Sequence, residues 1–213
     1  MKKYLPALLL TSVLVFSACT TTNDNKKVEA STTPQESQQI ISGNYSVDLE
    51  NSSLNWHAEK VIGNSHDGMV KIKSGEFSIG NNAGSGSIII DMTSLKDDKN
   101  TEPLIKHLKS ADFFDVEKFP ESKLEITKIS PTNEPNKYEV SGNLTIKDKT
   151  NPVSFTLVTV NSGDTITLSG NLSIDRTLWN VRFGSNKFFE NLGDQVIRDE
   201  IDYNILVSAK LIK

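Results

Sequence analysis

A single cysteine, Cys19, stands in the whole chain, so no internal disulfide framework holds it together; an exported domain stapled by disulfides carries an even number. Histidine is scarce as well. His57, His66 and His107 are scattered, without an HExxH pair, a close ligand pair or a GxSxG elbow, and neither metal-dependent nor serine hydrolysis has a constellation to work with. Asp97-Asp98-Lys99-Asn100 has the composition of a calcium loop but lacks the glycine and closing glutamate of an EF-hand. No catalytic group, metal or cofactor is therefore expected. Basic charge is short too, with 23 Lys and Arg against 27 Asp and Glu and no basic stripe, which excludes nucleic acid as an expected partner.

Long apolar runs are missing beyond the first residues. Leu5 to Phe16 would cover only about 18 Å as a helix, well short of the roughly 30 Å hydrocarbon layer, and it contains Pro6. Lys2 and Lys3 before it and Ser17-Ala18-Cys19 after it have the layout of a secretory signal. Cleavage before Cys19 would leave an N-terminal thiol for lipidation, which explains a cysteine without a partner and leaves no thiol for redox chemistry. The expectation is a signal peptide over 1–18, a lipidated Cys19 and membrane attachment through it. Phe16 stands where such signals more often have leucine, and the competing reading is ordinary cleavage nearby, releasing a soluble periplasmic protein. Losing Lys2 and Lys3 takes the net charge from −4 to −6. Thr20, rather than an aspartate, after the cysteine points to the outer membrane by the rule of enteric bacteria. Residues 19–42 have no aromatic and no sustained periodicity, and read as a flexible tether reaching about 25 Å.

From Gly43 onward the pattern alternates. Tyr138, Val140, Leu144 and Ile146 form one run; Ile166, Leu168, Leu172 and Ile174 a second; Tyr203, Ile205, Val207, Ala209 and Leu211 a third. A period of two with Ser, Thr, Asn, Glu and Lys between the apolar positions means antiparallel strands with one wet face. Gly142 and Gly170 fall on the apolar face, where a strand can coil sharply. Weaker alternation at 45–49, 54–58, 69–72, 77–79, 88–92, 124–129 and 153–160 brings the total to ten candidate strands, some expected to merge. Turn signals at 73–75, 81–84, 131–135 and 161–164 separate them. The phase slips between Leu157 and Val158, which predicts a bulge. Thr101–Lys109 breaks the rhythm with a cap residue, an early proline and Leu104/Leu108 at helical spacing, and predicts a short helix. A second helical turn is expected over 187–192, ended by Gly193. A sandwich and a barrel both satisfy this alternation; length and strand number fit a barrel of about eight strands.

His107-Leu108-Lys109-Ser110-Ala111-Asp112-Phe113-Phe114-Asp115, running on to Phe119-Pro120, resembles the signature of the YceI-like family. Tyr45-Ser46-Val47-Asp48, Gly142-Asn143-Leu144-Thr145-Ile146, Asn151-Pro152-Val153 and Asp175-Arg176-Thr177-Leu178-Trp179 with Arg182-Phe183-Gly184-Ser185 support it in order and spacing. The resemblance implies an all-β, lipocalin-like extended barrel over 43–213 that binds a polyisoprenoid or another long-chain amphiphile without catalysis. Asp148 and Asn180 stand where the family commonly has glycine, and both residue types tolerate a left-handed backbone. Phe119 replaces a frequent tyrosine, keeping the packing and losing the hydroxyl.

On that reading the candidate ligand-binding residues are Trp56, His66, His107, Phe113, Phe114, Phe119, Trp179 and Arg182. The phenylalanines either cap one barrel end or line its mouth, and the tryptophans are core or lumen wall. His66 is a turn residue or a ligand contact, and His107 ties the helix to the rim or touches ligand. Arg176, Arg182 and Lys187 either meet a polar head or pair with acids nearby: Asp175, which precedes Arg176, and Glu190 and Asp194. Two functions remain: carriage of a long-chain lipid in an open lumen at the cell envelope, or a structural, partner-binding envelope protein whose barrel is filled by its own side chains. Lumen size separates them, since a pocket under about 300 Å³ is small for a drug-sized ligand. Oligomeric state is open, a homodimer among the alternatives.

Overall fold

The structure, a computed structural model, describes residues 41–80 and 83–212. The signal segment, Cys19 and all but the end of the expected tether lie outside the described residues. Among those described, eight strands close into one antiparallel barrel: β1 (Gly43–Glu59), β2 (Ser65–Gly80), β3 (Ala83–Asp97), β4 (Glu121–Pro131), β5 (Lys137–Ile146), β6 (Lys149–Ser162), β7 (Thr165–Asp175) and β8 (Glu200–Ile212). Each strand pairs with its neighbours in sequence, and β8 pairs back onto β1 from Asn44↔Ile212 to His57↔Asp202. The barrel, not the sandwich, is the solution to the alternation.

Ten expected strands become eight because two pairs are continuous. In β1 the register shifts between Asp48 and Ser53; Asp48 there accepts from the Glu50 amide (3.2 Å) and Asn51 Nδ2 (3.1 Å). In β2 it shifts between Met69 and Lys71 and again between Ile72 and Ser74. Such irregularities bend a strand without ending it, and from sequence each looks like a gap. The bulge expected in β6 is absent, because its ladders to β5 and β7 run without a shift. The apolar phase there is broken instead by Thr159, which takes the inward position. Its Oγ1 donates to the Asn136 carbonyl at 3.3 Å, while Val158 and Val160 face outward, exposed. Gly142 behaves as its phase implies: a Cβ there would lie 2.5 Å from the Glu125 carbonyl oxygen, so a side chain would push β4 away.

Helix α1 (Glu102–Lys109) follows β3. Thr101 occupies the N-cap position but makes no side-chain cap bond; its own amide donates to Asp97 Oδ2 at 3.0 Å. The loop that looked like a calcium site is thus an anchored turn, with Asp97 buried and receiving a second contact from His66 Nδ1 at 3.2 Å. The Thr101 amide foremost, opposed by burial and helped by His66, holds the Asp97 carboxyl below its ordinary range. The second helical turn is displaced. Phe188 and Phe189 amides both donate to the Ser185 carbonyl, closing a turn early, and Asn191 (φ 59°) is left-handed; a 3-10 turn begins at Gly193 instead of ending there.

The two ends of the barrel differ. One, the hairpin end, carries short turns over 132–136 and 163–164. The other, the helix end, carries the two long connections, 98–120 with α1 and 176–199, besides the turns over 60–64 and 147–148. At the last of these, Lys147 is the left-handed residue (φ 56°), not Asp148. Its ammonium reaches across to donate to the carbonyls of Phe113 (3.1 Å) and Asn180 (3.3 Å), fixing the turn to both long connections. Asn180 is left-handed at φ 60°, as its glycine-like place implies.

Candidate functional site

Inward-facing side chains of all eight strands enclose a cavity, with Leu108, Phe113, Phe114, Arg176 and Ile197 closing it from the helix end. Its volume is about 160 Å³. Its walls are Leu, Ile, Val, Phe and Met with few polar atoms: those of Trp56, Ser122, Tyr138, Arg176 and Tyr203. The hairpin end is sealed. Tyr45 stacks on Phe77 with ring centroids 5.4 Å apart, its hydroxyl donates to the Ile41 carbonyl at 2.6 Å, and Ile166 and Ala209 beside it are fully buried.

At the helix end, Phe113 and Phe114 meet edge to face at 5.3 Å, both buried, so they close the barrel and line the cavity at once. The tight turn after α1 holds them there. Phe113 and Asp115 amides both donate to the Ser110 carbonyl, and the Phe114 amide donates to Leu108. His107 packs edge-on against Phe183 (4.4 Å) and Phe113 (5.7 Å), behind the wall rather than in it.

Arg176 is the organising charge. Its Nε donates to the Arg198 carbonyl (3.1 Å), Nη1 to Val181 (2.8 Å) and Phe183 (2.9 Å), and Nη2 to Ile197 (3.2 Å) and the Asp199 carboxylate (3.5 Å). All five N–H groups are used, four of them on carbonyls of one irregular loop. Burial works against its charge, and the charges of Asp199, Asp175 and Glu200 oppose that pull. Lys187 adds ion pairs to Asp175 (2.7 Å) and Asp199 (3.1 Å). Acids do pair with Arg176 and Lys187, as one alternative held: Asp175, the sequence neighbour of Arg176, takes part as expected, and Asp199 stands in place of Glu190 and Asp194.

Of the sequence candidates, Trp56, Phe113 and Phe114 reach the cavity wall. Trp56 donates through Nε1 to the Lys96 carbonyl at 3.2 Å. Trp179 does not reach it; it is fully buried, its Nε1 donating to Leu144 at 2.8 Å, which is a core role. Arg182 is exposed and lies over the Phe188 ring at 4.3 Å. Phe119 is half-buried beside Lys118, away from the cavity, and His66 serves Asp97. Sequence reasoning missed Ser122. It lies two residues before Leu124 on the same face of β4, and its Oγ is buried on the cavity wall without a hydrogen-bond partner among the described residues. Tyr203 was read as a strand residue only. Its ring borders the cavity, its hydroxyl makes no hydrogen bond to a described residue, and burial raises the phenol far above its ordinary value.

An antiparallel eight-stranded barrel around a carbon-lined cavity, closed at one end by a short helix, defines a lipocalin-like fold. Residues 45–209 match the YceI-like domain, and the chain belongs to that family. It is 40% identical over 67 residues to a UPF0312 protein of Photorhabdus laumondii, covering 32% of this chain and 33% of the relative. It is 30% identical over 120 residues to a UPF0312 protein of Pseudomonas putida strain W619, covering 55% and 62%. The chain thus spans between one third and three fifths of the length of these curated relatives. Among solved structures, Burkholderia cenocepacia BcnA is similar at 25% identity with a TM-score of 0.61, over 77% of this chain and 99% of that one. A polyisoprenoid binding domain from Saccharophagus degradans is similar in fold at 13% identity and a TM-score of 0.61, over 79% and 98%.

Proposed function

We propose that this protein binds a long, slender apolar lipid in the barrel lumen, without covalent chemistry, and carries or sequesters it at the cell envelope. The observation that carries this reading is the unfilled apolar cavity. At about 24 cal/mol per Å³, an empty volume of 160 Å³ costs about 4 kcal/mol of folding stability. A barrel built only for structure would gain by filling it with larger side chains, whereas a ligand that occupies it recovers the lost contacts. The polyisoprenoid binding of the Saccharophagus neighbour agrees in kind. Lipid attachment through Cys19, at the outer membrane, belongs to the same proposal. Native mass spectrometry of gently purified protein should show a co-purified lipid, and fluorescent isoprenoid analogues should be taken up; protein without lipid that takes up no analogue would overturn the reading.

One observation favours the second reading, a barrel filled by its own side chains with its function on the loops. The cavity falls below the roughly 300 Å³ expected for a drug-sized ligand, so a whole isoprenoid enters only if wall side chains such as Leu108, Phe113 and Met92 swing aside. Exposed apolar residues on the helix-end connections, Phe183, Phe188 and Phe189 among them, would then be the working surface. Uptake of the analogues without a change in barrel stability would place them there.

A further inference from the structure

The ligand's polar end is legible in the wall of the lumen. Resting on the lipid-binding reading above, we propose that the lumen selects a neutral lipid bearing a hydrogen-bonding oxygen, an alcohol or ketone, and that Ser122 Oγ and Tyr203 Oη receive that oxygen inside the barrel.

Three observations meet in this. Ser122 is 3% exposed and its hydroxyl has no partner among the described residues. A buried hydroxyl without a partner is destabilising, and native proteins seldom keep one where alanine would fit. Its position is not a loop accident: β4 places it in the inward series Ser122, Leu124, Ile126, with Ile90 of β3 opposite it in the ladder. Second, Tyr203 faces the same cavity from β8, with three strands between it and β4 in either direction around the barrel, and its hydroxyl also bonds to no described residue. Two hydroxyls on opposite walls of a mostly hydrocarbon lumen, neither bonded to a described residue, each offer a donor and an acceptor to a guest oxygen.

The third observation sets the charge. A carboxylate or phosphate brought into this lumen would need a cation with donors to spare, because an ion in apolar surroundings is costly unless paired. Arg176 is the cation on the wall, and each of its five N–H groups is already committed, with Asp199 balancing its charge. Burial that holds the Tyr203 phenol in its neutral form would act on a guest acid in the same direction. The lumen is therefore equipped for an uncharged oxygen and not for an ionised head.

The test uses geranylgeraniol, geranylgeranyl phosphate and the parent hydrocarbon as probes, titrated into the full folded protein and its Ser122→Ala and Tyr203→Phe variants. Wild type is expected to bind the alcohol at least about fivefold tighter than either other probe, a ratio equal to one ordinary hydrogen bond of about 1 kcal/mol. Ser122→Ala should erase most of that preference while leaving hydrocarbon binding unchanged, and Tyr203→Phe should reduce it. Without ligand, Ser122→Ala should unfold at the same or a higher denaturant concentration, because the lost hydroxyl had no partner. Phosphate binding as tight as the alcohol would overturn the proposal. So would an alcohol preference that survives Ser122→Ala, which would assign the hydroxyl to internal water, or a Ser122→Ala variant that is less stable. Equal binding of all three probes would refute the head-group assignment and leave lumen binding standing. Failure of every probe, the hydrocarbon included, would refute the lumen reading itself.

Discussion

The guanidinium carbon of Arg176 lies 5.5 Å from the ring centroid of Phe113. The residue that organises the 176–199 connection thus touches the residue that closes the lumen, and the two long connections of the helix end form one assembly. Lys147 joins them again from the β5–β6 turn.

Arg176→Lys and Arg176→Met should each destabilise the domain by about 3–5 kcal/mol, the usual loss when one member of a buried, hydrogen-bonded charge network is removed. Lysine keeps the charge but has three donors on one atom, too few to reach the Val181, Phe183, Ile197 and Arg198 carbonyls together. Urea melts followed by tryptophan fluorescence, from Trp56 on the lumen wall and Trp179 three residues away, measure it. If Lys restores wild-type stability, the carbonyl contacts contribute nothing and charge alone matters.

Phe113→Ala and Phe114→Ala should each cost about 3–5 kcal/mol, since both rings are buried in the empty barrel. Lipid affinity per folded molecule should also change, because each ring is part of the cavity wall. Denaturant melts combined with lipid titration read both quantities. Large destabilisation with unchanged affinity in both variants would remove this segment from the binding site and leave it a pure cap.

Acid should loosen the α1 loop before the barrel. The Asp97 carboxyl is held below its ordinary value, so its contribution is fully present above the unfolded value of about 3.9 and is lost as pH falls through the lower folded one. Stability should therefore fall below about pH 4, and Asp97→Asn should flatten that fall. The slope should shrink without vanishing. Asp175 is also lowered, since hydrogen bonds from Lys187 and Thr177 outweigh the burial that raises it, and Asp48 is lowered by Asn51 and Lys210. Urea midpoints at several pH values for both proteins check this; identical profiles would mean the Asp97 contacts carry no linked stability.

Cys19→Ala should move the protein from the membrane fraction to the soluble periplasmic fraction, with the barrel unchanged. Fractionation with an antibody to the domain decides it. Retention of the variant in the membrane would contradict lipid attachment through this cysteine.

The strands that sequence reads best are those that stay in phase. β5, β7 and β8 keep one apolar and one wet face for their whole length, so period-two counting recovers them. β1 and β2 look like four strands because irregular registers near Asp48 and Ile72 reverse the phase partway, and only the ladder shows that the chain continues. Thr159 misleads in the opposite way: a polar residue on the inner face imitates a slip that is not there. The site was legible in part. Phe113 and Phe114 stand in a recognisable segment, whereas Ser122 is an ordinary serine until the fold sets its hydroxyl on the lumen wall without a partner among the described residues. Arg176 carried the right residue type for a head-group contact, but its donors are spent on an irregular loop that has no periodicity to announce it. Cavity volume follows from how thirty or so side chains pack, which no pattern along the chain encodes.

Closure of β8 onto β1 bears on how the molecule is made. Ser52 Oγ donates to the Ser208 carbonyl across 156 residues of chain, so the last seam joins the earliest and latest parts of the domain. Contacts so distant in sequence form late and slowly. Until Glu200–Ile212 arrives, β1 and β7 are open edges and the inner face is a trough rather than a tunnel. The lumen therefore becomes a closed chamber only when the last strand to be made pairs with the first.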